Sequence, residues 1–246
     1  MPKVTIKLIF LGQLPYHIDT NKIINWKSDL FQIVAPIDSH PITENSDLPD
    51  WAFSDESIAR QLPNDFDENV LIAVTKVPIE QNYFARRYIG NRVCLSYYEM
   101  AEILSSEDIP LENLILRVMY SLSFVYKRYG NRIPLMNENT NFTHDATRGC
   151  IFDMNGIKTD VIYSLNRPQL CPSCVETLTH NHIQTNLIDK VQKELKDIKK
   201  GLFYDITNFV KRHPIWSIII SSITAIILGI IGSLIASFIY ESLKGK

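Results

Sequence analysis

A sheet domain of the α/β (α+β) class, followed by an amphipathic helix and one C-terminal membrane helix, is the fold that this sequence predicts. Three observations predict it. Short apolar runs suited to strands alternate with helical segments over the first two thirds of the chain. A 3-4-3-4 apolar spacing then runs through residues 185–212, and residues 215–240 contain no charge at all. With 46% hydrophobic and 21% charged residues among 246, the chain can bury a sizeable core.

The elements follow in order. Val4–Leu11 (VTIKLIFL) reads as a strand. Asp19 or Thr20 caps a helix expected to carry Ile23, Ile24, Leu30 and Phe31. Ile33–Pro36 is a second strand, and Ser54–Leu62 a second helix after a polar, proline-containing stretch. Val70–Thr75 (VLIAVT) suits a central strand, and Arg92–Ser96 (RVCLS) is another. Leu111–Tyr129 is a long helix with apolar residues on most faces, ended by Gly130. Within 185–213, Ile188, Val191, Leu195, Ile198 and Leu202 keep coiled-coil spacing and Ile206 and Phe209 continue the face. That face suits a short coiled-coil stalk, a helix lying on a membrane surface, or a helix packed on its own domain. Gly201 is the place for a kink.

Ile215–Tyr240 covers 26 residues, about 39 Å at 1.5 Å per residue, enough to cross a bilayer at a tilt. Trp216 and Tyr240 sit at interfacial positions, and Lys199, Lys200, Lys211 and Arg212 precede the span while Glu241, Lys244 and Lys246 follow it. This bias predicts a single-pass cell-membrane protein whose N-terminal domain is cytoplasmic. With only six residues after the span, a tail anchor is expected. Ser221, Ala225, Gly229, Ser233 and Ser237 recur every fourth residue, which favours close helix packing and a homo-oligomer formed through this helix. The expected organisation is a globular domain over 1–184, a stalk over 185–213, the membrane helix over 214–240 and a tail over 241–246.

Charge excludes some functions. Residues 1–184 carry 16 Lys+Arg against 22 Asp+Glu, and residues 185–213 carry 7 against 4. The first part is too acidic for nucleic acid to bind on a basic surface. There is no Gly-rich phosphate loop, and only 9 glycines in all. The start, Met1–Lys7, runs straight into a strand rather than a secretory signal, so a reducing compartment is expected. There, C-x-x-C points to metal more than to a disulfide.

The chemistry concentrates in residues 144–182. Cys171-Pro-Ser-Cys174 has the spacing with which two thiolates share a tetrahedral zinc, and Cys150 offers a third sulfur. His144 or Asp145 would complete a closed structural site, with His180 or His182 as competing ligands. A redox thiol pair and plain buried cysteines are the alternatives. Cys94, in a strand, reads as a core thiol. Asp153 and Asp160 flank the cysteines and are expected to support ligands or cap loops rather than to form an acid/base pair.

The succession of segments over Val4–Leu178 resembles the archaemetzincins, zinc peptidases of the metzincin group. The resemblance rests on VLIAVTKV, the stretch at Asn82-Tyr83-Phe84, Gly90-Asn-Arg-Val, the long helix, Cys150-Ile-Phe-Asp-Met154, Asp160 and Cys171-Pro-Ser-Cys174. It implies a metzincin-like mixed sheet and the family's second, structural zinc. His144 stands where the third family histidine would be, and Asp145 where a structural cysteine would be. The family's H-E-x-x-H is absent from the whole chain. With Gly130 set on the motif glycine, the catalytic positions hold Ser123, Phe124 and Lys127, which can neither bind a metal nor activate water.

The expected function is therefore non-catalytic: a membrane-tethered, zinc-closed domain that recognises a protein or peptide in the degenerate cleft. An oligomerising membrane effector of bacterial defence is one concrete form. Two rivals remain, an active zinc hydrolase (peptidase) using His144, His180 and His182, and a membrane-anchored scaffold without signalling.

Overall fold

The structure, a computed structural model, describes residues 2–14, 17–138 and 141–244; for 202, 203, 205, 208, 238, 239 and 241–244 it describes the backbone alone. The chain divides into two compact units, residues 1–199 and 200–246.

The first unit is a mixed α/β fold. Its strands are β1 (Val4–Leu11), β2 (Phe31–His40), β3 (Val70–Thr75), β4 (Ala85–Tyr88) and β5 (Arg92–Ser96), in sheet order β2-β1-β3-β5-β4. β1, β2, β3 and β5 pair in parallel, and only β4 runs antiparallel, at the edge beyond β5. β3 is buried at every residue, which explains its unbroken apolar run: a central parallel strand is covered on both faces.

Two layers cover the sheet. On one face Ile9, Leu11, Leu71, Ala73 and Cys94 pack with Ile58 and Leu62 of helix α2 (Asp55–Gln61). Ser54 caps α2 by accepting from Ser57 N at 3.1 Å, with Asp55 and Glu56 in the first turn complementing the dipole. The Cys94 thiol is fully buried here, and burial raises its pKa to about 12. On the other face Val4, Ile6, Leu8, Val70, Ile72, Val74, Val93 and Leu95 pack beneath helix α4 (Leu111–Arg128) and the cysteine-rich segment. Every residue of α4 from Glu112 to Tyr126 is buried, so its lack of a polar face reflects a helix held between sheet and loop.

Some expectations need correction. The first helix, α1, spans only Thr20–Ile24, with Asp19 as its cap (Asp19 Oδ1 to Lys22 N, 2.9 Å). Leu30 and Phe31 are not helical: Phe31 opens β2, and both are core residues there. Helix α3 (Met100–Ser106), helix α5 (Pro172–His180) and β4 were not anticipated.

The segment expected as a stalk is not one helix. It breaks after α6 (Thr185–Leu195) and resumes as α7 (Leu202–Arg212), with Gly201 capping α7 in an extended conformation. Ile188, Val191, Leu195 and Ile198 are all fully buried in the core of the first unit. Glu194 ties α6 down by accepting from Asp29 N (2.8 Å) and the Tyr120 hydroxyl (2.6 Å). The connecting backbone is likewise held: Asn113 Nδ2 donates to Lys199 O at 3.1 Å, and Arg167 N donates to Ile198 O at 2.6 Å. A seam that faces the core has no face left for a second coil.

The second unit contains α7 and α8 (Pro214–Lys244). Pro214–Ser237 is long and apolar enough to cross a membrane, with mean hydropathy 2.6 and no part buried. Hydroxyls within it are satisfied locally: Ser221 Oγ donates to Ile218 O (2.9 Å) and Thr224 Oγ1 to Ile220 O (2.8 Å). Of the tail, residues 245 and 246, and the side chains of Glu241 and Lys244, lie outside the described residues, as does that of Leu202.

Candidate metal centre

Residues 141–154 fold into a tight loop that presents His144 and Cys150 to the start of α5. His144 N donates to Phe152 O (3.2 Å), Met154 N to His144 O (3.0 Å) and Ile151 N to Gln169 O (3.0 Å). The loop is anchored by aromatic packing, with the Phe152 ring 6.4 Å from Phe124 of α4 and 6.5 Å from Phe142. Gly149 makes the turn at φ +71°, and a Cβ there would lie 3.0 Å from Tyr163 O. Only glycine meets both the left-handed conformation and that approach.

Cys171 caps α5 and Pro172 occupies its first turn, where the missing N–H costs nothing. One helical turn then places Cys174 beside Cys171. The ligating atoms of His144, Cys150, Cys171 and Cys174 all lie within 4.8 Å of one another, and the three sulfurs are buried. His144 Nε2 is 3.5 Å from Cys171 Sγ. A tetrahedral zinc with ordinary Zn–S and Zn–N bonds would set that edge at about 3.6 Å.

The protonation chemistry fits a cation as well. His144 Nδ1 faces Ala146 O at 2.9 Å, an atom that only accepts, so the proton sits on Nδ1 and Nε2 keeps its lone pair toward the sulfurs. Asp153 is buried beside it, with Oδ1 3.5 Å from Nδ1 and Oδ2 accepting from Arg148 N and Cys150 N, each at 3.0 Å. A hydrogen bond from Cys174 lowers Cys150 to about 5, and the same bond raises Cys174 well above an ordinary thiol. Burial opposes ionisation of Cys171, but hydrogen bonds led by that of Ser173 outweigh it and lower its pKa. Three thiolates so close repel one another unless a cation lies between them. All four thiols of the chain are free.

The group of four thus draws in His144 but not the other candidates. Asp145, His180 and His182 are exposed and stand outside it. His182 has φ +63° in the turn that follows α5. Asp153 touches the cluster directly, whereas among the described residues the Asp160 side chain meets only the Thr147 hydroxyl, at 3.5 Å.

Next to this centre, between β4 and α4, lies a cleft of about 290 Å³. From α4 it receives Arg117, Val118, Ser121 and Leu122; from β4, Ala85 and Arg87; from the metal loop, Ile151, Asp153 and Met154. The positions reached by setting Gly130 on the motif glycine are elsewhere. Ser123 and Phe124 are fully buried in the core, and Lys127 Nζ donates to Pro2 O at 2.5 Å. The α4 residues that face the cleft begin at Arg117, more than a turn earlier. Sequence spacing missed them because no metal-binding residue marks the place.

The first unit is therefore a mixed α/β domain with a Cys₃His group that could hold a zinc ion, set beside an open cleft. Among solved structures, the crystal structure of the archaemetzincin from Methanopyrus kandleri is similar to this chain. The two share 12% identity at a TM-score of 0.43, over 73% of this chain and 96% of that one. No protein-family profile matches the chain, and no curated protein does.

Proposed function

We propose that this is a membrane-anchored recognition protein whose first unit is locked by one structural zinc and performs no hydrolysis. The observation that carries the reading is the division of chemical groups between the two neighbouring sites. His144, Cys150, Cys171 and Cys174 form a closed four-donor set, and such a set leaves no open position for water or substrate. Among the described residues the cleft beside it is lined by no histidine and by one carboxylate, Asp153, whose Oδ2 is engaged by the backbone of the metal loop. Zinc there supplies folding energy and fixes the loop that forms one wall of the cleft.

The free edge of β4, which carries no further strand among the described residues, can accept an extended peptide. α8 anchors the protein in a membrane. Lys199, Lys200, Lys211 and Arg212 favour a cytoplasmic first unit, and the exposed row Ser221, Ala225, Gly229, Ser233 and Ser237 favours homo-oligomers. An oligomer that opens the bilayer on partner binding, as in defence systems, is the concrete form of this reading.

Elemental analysis of the full-length protein in detergent micelles tests it, together with a peptidase assay. One zinc per chain, lost in Cys171→Ser/Cys174→Ser, and no peptide cleavage are expected. A second zinc, or zinc-dependent cleavage that survives the double substitution, overturns the reading.

A further inference from the structure

From the cleft's unpaired guanidinium groups we infer that it binds a carboxylate carried on an apolar group, as at the C-terminus of a peptide that ends in an apolar residue. The inference rests on the recognition reading of the cleft and names its ligand chemistry.

Arg117 is 4% exposed, yet among the described residues it spends only one hydrogen bond, Nη2 to Asp153 O at 2.7 Å. Its Nε has no partner among the described residues. Arg87 stands on the opposite wall. Among the described residues its Nη1 is also buried without a partner, and its Nε reaches only the sulfur of Met136, a weak acceptor, at 3.4 Å. The Arg87 guanidinium lies 4.9 Å from the centre of the Phe142 ring, which orients it without satisfying its N–H groups.

Buried cationic donors left unmatched are costly, and native proteins rarely keep two of them in one place without a use. Among the described lining residues Asp153 is the only acidic one; its Oδ2 accepts from two backbone N–H groups, while its Oδ1 makes no hydrogen bond among the described residues and lies 3.5 Å from His144 Nδ1. Two guanidiniums thus share the cleft with a single lining carboxylate. A planar carboxylate is the partner whose two oxygens match the guanidinium fork.

The rest of the wall selects what carries that carboxylate. Phe84, Val93, Val118, Leu122 and Ile151 contribute apolar surface, so the ligand needs an apolar body beside its charge. The wall strand adds direction. Ala85 and Arg87 alternate along β4 toward the cleft, while Arg86 and Tyr88 point to Asp55 on the other face. An extended chain paired to β4 would run past Arg87 and end against the guanidiniums. A small free carboxylic acid shares the chemistry but lacks the strand.

Titration calorimetry on the full-length, zinc-loaded protein in micelles distinguishes the cases. The probes are an acetylated pentapeptide ending in Phe, with a free carboxylate or a carboxamide, and 3-phenylpropionate with its amide. At least one acid is expected to bind tenfold or more tightly than its amide, and Arg87→Gln is expected to remove that preference. Preference in the peptide pair alone identifies a chain terminus, and preference in the small pair identifies a free acid. Arg117→Met is the companion variant, while the more exposed Arg87 keeps the test interpretable should that buried change impair folding. Equal binding of acid and amide, or no binding of any probe, overturns the carboxylate site and leaves the zinc reading standing. Cleavage of the peptide during the titration overturns the recognition reading itself.

Discussion

At the scale of single residues, the candidate metal centre depends on groups that hold His144 and the cysteines in place as much as on those four residues. Asp153 fixes the loop by accepting two backbone N–H groups and lies beside the His144 ring. Asp153→Asn keeps the shape but weakens these charge-assisted bonds, and a ten- to hundredfold loss of zinc affinity, on the order seen for such supporting residues, is expected in chelator competition. Zinc affinity should also rise with pH. For His144, burial disfavours the charged ring but the neighbouring Cys150 and Cys171 outweigh it, so its folded pKa is raised; Cys174 is raised too. Both must shed protons to bind metal, so protons compete more strongly as pH falls through these raised values. Competition at pH 6 and pH 8 should therefore give weaker binding at pH 6, and the reverse slope would exclude this ligand set. A second residue-scale test concerns Asp55, which accepts from Arg86 Nε at 2.8 Å and from the Tyr88 hydroxyl at 3.3 Å. Arg86 is 7% exposed, so Asp55→Ala leaves a nearly buried cation unpaired and should cost about 3–5 kcal/mol in denaturant unfolding.

At the scale of elements, α6 is the informative case. Its apolar residues at 188, 191 and 195 read equally well as a coiled-coil seam and as the inner face of a packed helix, because both require the same spacing. Burial decides between them. Ile188→Ala should destabilise the first unit by about 2–5 kcal/mol, the cost of a cavity in a core that cannot fully collapse. A free stalk would lose almost nothing from this change, so thermal or denaturant unfolding of the first unit separates the two directly.

At the scale of the molecule, α8 gives the protein a segment long and apolar enough to cross a bilayer. Gly229 is a clean probe of association, since a Cβ there meets nothing within 4 Å in the single chain. Gly229→Leu should leave membrane insertion and zinc content unchanged while reducing cross-linked oligomers in liposomes. Unchanged cross-linking would remove the small-residue row as the packing surface. If the helices open the bilayer, dye leakage from the same liposomes should fall with the oligomer.

Much of this was legible in the sequence because it depends on local physics. β1, β3, β5 and α2 fall where apolar runs and the Ser54 cap place them, and 26 uncharged residues mark the span whatever surrounds them. The C-x-x-C spacing likewise announces a metal-type pair before any fold is known. The rest depends on residues far apart in sequence. Three polar or amphipathic residues, Arg86, Arg87 and Tyr88, hid β4 from an apolar-run reading, since Arg86 and Arg87 serve opposite faces of an edge strand. That His144, and not Asp145, His180 or His182, lies beside the three cysteines came from a loop folded back on α5. The cleft arginines carry no spacing signal at all. Sequence by itself determined β1, β3 and β5, the Ser54 cap, the apolar span and the C-x-x-C pair, since neighbours along the chain suffice for these. Only the tertiary structure brought His144 beside the three cysteines, buried α6 and placed the cleft, because burial and the matching of distant polar groups arise only when the chain is packed.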